Sequence, residues 1–229
     1  MIIAWLSLLP LTVLGAVLGL DSVSFPQAMI SRPIVAATLA GALVGSPGRG
    51  LIAGVTLELF ALETLPFGAS RYPEWGSASV VGGALFAASP VVEAGALGVA
   101  IFFALITASI GGWSMIQHRK LLGRWAGGMR EYLARGSSTA VTRLQLGGLT
   151  LDLLRGAVLT FVALAAFVPL QRALFASWTF TSEQSRGAAV ALAGAVGAAA
   201  VWKVVHTTKG ARWYLLVGFV LGGALLVAT

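Results

Sequence analysis

Two short apolar arms joined by a glycine-rich turn constrain the fold of this chain more than any other feature. The arms are Ile34–Val44 and Leu51–Leu62, and the turn at residues 45–50 reads Gly-Ser-Pro-Gly-Arg-Gly. As a helix, the first arm reaches only ~16 Å, about half of a hydrocarbon core of ~30 Å. Backbone polar groups can stop at that depth only where they pack against protein or line a wet cavity. The pattern therefore predicts a re-entrant helical hairpin over residues 34–62, a feature typical of binding sites in transporters.

The composition indicates that the arms lie in lipid. Of 229 residues, 58% are hydrophobic and 10% are charged, whereas soluble chains carry about 25% charged residues. We predict an all-α integral membrane protein with a single membrane domain over residues 1–229, about six transmembrane helices and at least one re-entrant hairpin. The formal net charge of +7 does not indicate nucleic-acid binding, because the cations flank apolar spans instead of clustering on a soluble face.

Small residues favour close packing of the two arms. Gly41 and Gly45 form one G-x-x-x-G pattern, and Gly50 and Gly54 form another on the other side of the turn. That spacing lets two helix backbones approach closely. One alternative stays open at this point: the arms could fuse into a single kinked span, with Pro47 in a surface loop.

Two acids on or just past the second arm are the first candidate site residues. Glu58 and Glu63 lie where an unpaired charge is costly and, when present, is usually functional. Five positions apart on a helix, they point ~140° away from each other, so they need not share a site. The alternative for Glu63 is a place at the membrane interface, where it only ends the arm.

Polar segments on either side of the hairpin supply further candidates. Pro26 and Pro33 predict an unwound connection into the hairpin, where Gln27 and Arg32 could face a cavity. The alternative for Arg32 is that it only snorkels to the headgroups.

After the hairpin, Arg71, Tyr72, Glu74 and Trp75 combine opposite charges, a hydroxyl and aromatic faces. These groups can bind a sugar, and they are equally common at a membrane–water boundary.

The remaining apolar stretches predict the other spans. Residues 1–20 form the first span, residues 77–113 form a hairpin arm or tilted span followed by a full span, and residues 144–229 form three more. Inside the last group, Asp152 and Arg155 are neighbours on one helix face at i, i+3. They either neutralise each other or take part in coupling, and the first interpretation is favoured. His118 and His206 are expected to be solvated loop residues.

Residues 117–143 form the one extended polar segment, with six cations against a single acid, Glu131. The positive-inside rule places it in the cytoplasm. It could merely set the topology, or it could dock a soluble cytoplasmic partner. Residues 121–133 within it could form an amphipathic helix on the membrane, anchored by Trp125 and Tyr132.

Motifs of covalent chemistry are missing from the sequence. It contains no phosphate-binding Walker loop, no H-E-x-x-H and no G-x-S-x-G. It also contains no cysteine, which excludes disulfides, thiolate metal sites and thiol catalysis. We therefore expect no catalytic residues, no metal and no cofactor, and the residues alone indicate a transporter component and not an enzyme.

At this point specific motifs become recognisable. Arg32-Pro33 precedes a small apolar arm, Ile34–Gly45, and the second arm carries Gly54-Val55-Thr56-Leu57-Glu58, followed by Pro-Glu-Trp-Gly at residues 73–76. This pattern resembles the membrane component IIC of mannose-type (mannose–fructose–sorbose) bacterial phosphotransferase systems. The span at residues 144–166 with its Arg155 and the aromatic segment Tyr214–Phe219 are also similar to that family.

The resemblance implies a sugar-permease subunit. A IIC protein pairs with a second membrane subunit, IID, as a hetero-oligomer embedded in the lipid of the bacterial inner membrane, and the pair moves a hexose. A soluble IIB phosphorylates the sugar as it enters, with phosphate taken from IIA, so phosphoryl transfer belongs to the partners. The family carries re-entrant hairpins, as the arm lengths predict here.

The resemblance also selects site residues, with departures. Glu58 is the main sugar-binding candidate and is expected near the hairpin tip, helped by Gln27, Glu63 or Arg71; Arg32 and Glu74, which occupies the place of a family acid, complete the set. Other polar positions differ, because Pro26-Gln27 replaces an acidic pair and Ser46 replaces a turn aspartate. Two alternatives follow: a membrane sensor or scaffold that has lost transport, or an ion- or proton-coupled carrier.

Overall fold

Every regular element in the described part of the chain is an α-helix. The computed structural model describes residues 7–62, 72–90, 94–177, 181–205 and 208–228. The helices are α1 (Leu9–Asp21), α2 (Pro33–Leu43), α3 (Pro47–Ala61), α4 (Trp75–Ala87), α5 (Ala94–Gly128), α6 (Arg130–Ala134), α7 (Ser138–Ala176), α8 (Ser182–Val205) and α9 (Ala211–Ala228). The all-α prediction is confirmed.

The helices fall into a short and a long class. Helices α1 to α4 contain 11 to 15 residues, which corresponds to lengths of ~16–22 Å. Helices α5 and α7 contain 35 and 39 residues, or ~52 and ~58 Å. Within the described residues, the helical stretches 95–128 and 138–176 are the two that are long and apolar enough to cross a membrane. The total of about six spans stays a prediction.

The two predicted arms are separate helices that run back along each other. Both begin with a proline at the first helical position, where its missing N–H and fixed φ cost nothing. Between them, Gly45 has a φ of 90°, a left-handed conformation that glycine adopts without steric penalty. The Ser46 N–H donates to the Gly41 carbonyl at 2.7 Å and closes the turn.

Glycines bring the arms into backbone contact. A Cβ added to Gly41 would lie 2.7 Å from the Gly50 Cα, and one added to Gly54 would lie 2.8 Å from the Pro33 carbonyl oxygen. The alternative of one kinked span is therefore wrong. Gly45 does not take part in this packing, because nothing lies within 4 Å of a Cβ added there; it serves the turn.

Helix α4 lies at the centre of the molecule. Every residue from Gly76 to Ala87 is buried, and the helix contacts α1, α2, α3, α5 and α7. Small residues allow this, since Gly83 meets the Ala37 backbone and Gly82 meets Ala104. The stretch predicted as a hairpin arm or tilted span is thus a short core helix, packed antiparallel to the first part of α5.

The basic segment at residues 117–143 forms a helical hairpin. Helix α5 continues to Gly128, α6 is a single short turn of helix, and α7 begins at Ser138. A Cβ on Gly147 would meet the Trp125 ring, and one on Gly148 would approach the Leu122 methyl groups at 3.6 Å. Residues 121–133 do not form one helix, because α5 ends at Gly128 and α6 begins at Arg130. The α7 glycines make room for Trp125, so α5 packs on α7 here, and a position of this segment on the membrane surface stays a prediction.

Candidate functional site

Glu58 and Arg32 form an ion pair at the base of the α2–α3 hairpin. Glu58 lies in the last turn of α3, and its carboxylate contacts the Arg32 guanidinium and accepts a hydrogen bond from the Ile34 N–H at 3.2 Å. Arg32 is the residue before α2 and has an extended backbone (φ −60°, ψ 137°). The following proline favours that conformation. Two of the predicted site residues are thereby brought together.

The position of this pair corrects one expectation. Glu58 was expected near the hairpin tip, but it lies about three helical turns, or ~16 Å, from the connecting turn. The reason is the antiparallel register: the second arm returns to the level at which the first begins, so an acid near its end reaches the base.

The pair keeps hydrogen-bonding capacity in an accessible place. The side chains of Arg32 and Glu58 are 34% and 20% exposed, so both can be reached from outside. A carboxylate has about four acceptor positions and a guanidinium has five N–H donors. After pairing with each other, both groups can still bind neighbouring hydroxyls.

The other candidates are not joined to this pair in the described residues. Gln27 is exposed, and its Nε2 donates to the Val23 carbonyl at 2.9 Å within its own segment. Glu63 and Arg71 lie outside the described residues.

Glu74 has a structural role. It is 1% exposed and caps the N-terminus of α4, where its carboxylate accepts from the Ser77 N–H at 3.2 Å and 3.3 Å. Its own N–H donates to the Ala108 carbonyl at 3.0 Å. The Glu74 side chain is therefore closed off in this conformation. Its direct contact with a sugar stays a prediction.

A second polar cluster surrounds Asp152 on α7. Asp152 is 1% exposed, and its carboxylate accepts from Ser24 Oγ at 2.5 Å and from Arg155 Nε at 2.8 Å. The His118 Nδ1 lies 3.6 Å away, and Arg155 Nη2 donates to the Gly19 carbonyl at 3.4 Å. The predicted i, i+3 contact of Asp152 with Arg155 is present, but the cluster also joins α1, α5 and α7.

The expectation of a solvated His118 is wrong. Its side chain is 11% exposed, because α5 continues past the apolar stretch and turns this face toward α7. The next residue, Arg119, donates from its Nη2 to the Tyr72 hydroxyl at 2.5 Å, and its guanidinium lies 5.2 Å from the centroid of the Tyr72 ring. His206 lies outside the described residues.

Sequence reasoning also missed Asp21, which is 2% exposed. Its carboxylate accepts from the Ala28 N–H at 2.7 Å and from the Ser31 N–H at 2.9 Å. The only signal in the sequence was an acid at the end of an apolar run and before a proline-marked segment, a place where aspartate often bonds nearby backbone.

Comparisons with known proteins agree with the resemblance. The chain matches the family described as PTS system sorbose-specific IIC component over residues 5–228. It is 37% identical over 76 residues to the fructose permease IIC component of Bacillus subtilis (strain 168), a match that covers 33% of this chain and 28% of the relative. It is 32% identical over 81 residues to the sorbose-specific EIIC component of Lacticaseibacillus casei, covering 35% of this chain and 29% of the relative.

A longer match is to the mannose-specific EIIC component of Escherichia coli (strain K12), with 26% identity over 146 residues, covering 64% of this chain and 53% of the relative. The chain thus spans about half or less of the length of these curated relatives.

Solved structures share the fold. A membrane protein superposes with a TM-score of 0.70 at 20% identity, covering 97% of this chain and 94% of that one. The mannose transporter ManYZ, solved in complex with microcin E492, superposes with a TM-score of 0.60 at 23% identity, covering 98% of this chain and 87% of that one. Together with the match over nearly its whole length, this shows that the chain belongs to the sorbose-specific IIC component family of the phosphotransferase system, the membrane components of the mannose type.

Proposed function

We propose that this protein is the sugar-permease subunit of a mannose-type phosphotransferase transporter. It moves a hexose across the bacterial inner membrane as one part of a hetero-oligomer with a IID subunit. A soluble IIB protein phosphorylates the arriving sugar with phosphate from IIA, so this chain performs no covalent step. The observation that carries the proposal is the family match over residues 5–228, and the Arg32–Glu58 pair provides a site that fits it.

The hairpin is the element that presents this site. Its two helices hold 11 and 15 residues, so neither reaches across a hydrocarbon core of ~30 Å. We propose that it enters the bilayer and turns inside it. Arg49 supports this, since its Nη1 donates to the Ser89 carbonyl at 2.7 Å and ties the first turn of α3 to the end of α4.

Sugar recognition would rest on the complementary groups of the ion pair. The Glu58 carboxylate accepts hydrogen bonds from vicinal hydroxyls, and the Arg32 guanidinium donates to hydroxyl oxygens. Gln27, Glu63 and Arg71 are proposed as further contacts because of their place in the sequence around the hairpin.

The soluble partners dock on the basic hairpin, which is formed by the end of α5, by α6 and by the start of α7. Its cations are Arg119, Lys120, Arg124, Arg130, Arg135 and Arg143. The positive-inside rule places this end in the cytoplasm, where the phosphorylating proteins are.

Uptake measurements test the proposal. The chain and its cognate IID are expressed in cells that lack their own mannose-type systems, and uptake of radiolabelled hexose is measured with and without IIB and IIA. Glu58→Gln is expected to lower uptake at least tenfold at equal abundance in the membrane, because the lost charge-assisted bonds are worth about 1.5–3 kcal/mol. Glu183→Gln is the matched control, the same substitution at an exposed acid on α8.

The outcomes separate the two parts of the proposal. Normal uptake by Glu58→Gln contradicts the site. Absence of partner-dependent uptake in the unmodified chain contradicts the permease function, and uptake that follows the proton gradient without the phospho-carriers identifies a different kind of carrier.

A further inference from the structure

The segment between α1 and α2, residues 22–32, is an ordered connector without helical structure. Two of its residues, Gln27 and Met29, have φ angles of 57° and 61°. Residues other than glycine stay in this left-handed region only when their surroundings determine the conformation. The connector must therefore be held by contacts, and the structure shows which.

One holding group is Asp21, the last residue of α1. Its two carboxylate oxygens each accept a backbone N–H, from Ala28 at 2.7 Å and from Ser31 at 2.9 Å. Ser31 directly precedes Arg32, the cation that pairs with Glu58. Asp21 thus folds the end of the connector back toward α1 and fixes the backbone from which the Arg32 side chain starts.

The second holding group is Asp152, which comes from a different part of the chain. It accepts the Ser24 hydroxyl at 2.5 Å and is itself oriented by Arg155 at 2.8 Å. The same Arg155 donates to the Gly19 carbonyl in the last turn of α1 at 3.4 Å. Helix α7 therefore contacts both the end of α1, through Arg155, and the start of the connector, through Asp152.

We propose that Asp21 and Asp152 are positioning residues for the Arg32–Glu58 pair and act through the connector. This inference rests on the proposed function of that pair in sugar binding. The contacts form a continuous path from α7 through Ser24, the connector and Asp21 to the base of the hairpin. Neither acid touches the sugar; each fixes the backbone on which the binding cation is mounted.

The absence of cysteine from the chain makes a direct test of connector mobility practical. A single Ala28→Cys substitution, at an exposed position between the two holding groups, carries a nitroxide whose spectrum reports local motion in the purified protein. We compare Ser24→Ala and Asp21→Asn with Ser22→Ala. The Ser22 hydroxyl bonds the Gly19 carbonyl at 2.9 Å within its own turn, so this variant is the matched control.

Ser24→Ala and Asp21→Asn are expected to sharpen the spectrum at position 28, and Ser22→Ala is expected to leave it unchanged. A nitroxide at Ser109→Cys, an exposed position on α5, should not respond in any of these variants, and the melting temperature in detergent shows that each is folded. An unchanged spectrum at position 28 in both Ser24→Ala and Asp21→Asn overturns the inference.

Uptake kinetics without the spin label test the positioning role itself. Ser24→Ala and Asp21→Asn should raise the KM for hexose ~5-fold, the effect of a loosened binding group, with a kcat within about twofold of the unmodified protein. A released connector with an unchanged KM overturns the positioning role and leaves the permease function standing. If the unmodified protein takes up no sugar, the proposed function fails and this role fails with it, whereas the spectra still decide whether the acids hold the connector.

Discussion

Replacing Gly54 with alanine should separate the two arms of the hairpin and weaken the site at its base. A Cβ at this position would lie 2.8 Å from the Pro33 carbonyl oxygen and 2.9 Å from the Ile34 Cα. Both atoms belong to the backbone of the other arm, so no side chain can turn away. To reach ordinary contact distance, the arms must move apart by ~0.5 Å.

The magnitude follows from two opposing effects. Overpacking of this kind costs about 1–3 kcal/mol, and the upper end applies because both neighbours are backbone atoms. Alanine regains about 1 kcal/mol over glycine in a helix. The net loss is about 2 kcal/mol, which lowers the melting temperature by roughly 4–8 °C. The same shift lengthens the hydrogen bond from the Ile34 N–H to Glu58, which is already 3.2 Å, so uptake should fall as well.

The assay is thermal unfolding of the purified protein in detergent, followed by hexose uptake. Gly48→Ala is the matched control on the same helix, because nothing lies within 4 Å of a Cβ at that position. It should melt at the same temperature as the unmodified protein or slightly above it. If Gly54→Ala is as stable as Gly48→Ala, the arms do not pack through backbone contact and the reasoning is refuted.

Three further predictions concern the rest of the molecule. Asp152→Asn leaves the buried Arg155 guanidinium without its carboxylate partner and should destabilise the protein by about 3–5 kcal/mol, which is measured as a lower melting temperature. Glu131→Gln, in an exposed i, i+4 pair, should have no measurable effect on that temperature. Trp125→Ala removes the ring that fills the space over the α7 glycines and should speed tryptic cleavage in the basic hairpin, followed by mass spectrometry; unchanged cleavage contradicts the packing. Reversing the charge at Arg130 and Arg135 should raise the KM for phosphorylated IIB several-fold while sugar binding to the detergent-solubilised complex stays constant, and equal KM values contradict docking at this end.

Two short helices that run back along each other could be predicted from the sequence because their causes are local, whereas re-entry into the bilayer stays a prediction. Arm length and small residues at helical spacing act over a few residues, and Gly41, Gly50 and Gly54 pack as expected, whereas Gly45 serves the turn instead. Glu58 was a candidate because a charge on an apolar arm is costly, and Arg32 because it lies in the proline-marked connection into the hairpin.

The pairing of these residues and their depth could not be predicted in the same way. Glu58 lies at the base and not at the tip because the arms are antiparallel in one specific register, which depends on the packing of Gly41, Gly50 and Gly54. A pattern of small residues permits close approach but does not say which backbone atoms meet.

The contacts of the polar cluster around Asp152 were even harder to predict from the sequence. Ser24 and Asp152 are 128 residues apart, and no local pattern connects them. His118 looked like a loop residue because it stands among cations at the end of an apolar run. Its burial follows from the continuation of α5 along α7, which is decided by the glycines that receive Trp125.

The long helices have a consequence for the speed of encounters at the membrane surface. A bilayer with its headgroups is ~40–45 Å thick, so helices of 35 and 39 residues are longer than its thickness by roughly 7–18 Å. Their protruding ends carry a strong excess of positive charge. An acidic protein diffusing nearby is attracted to the basic hairpin before it touches lipid. Its association rate should therefore fall steeply as ionic strength rises.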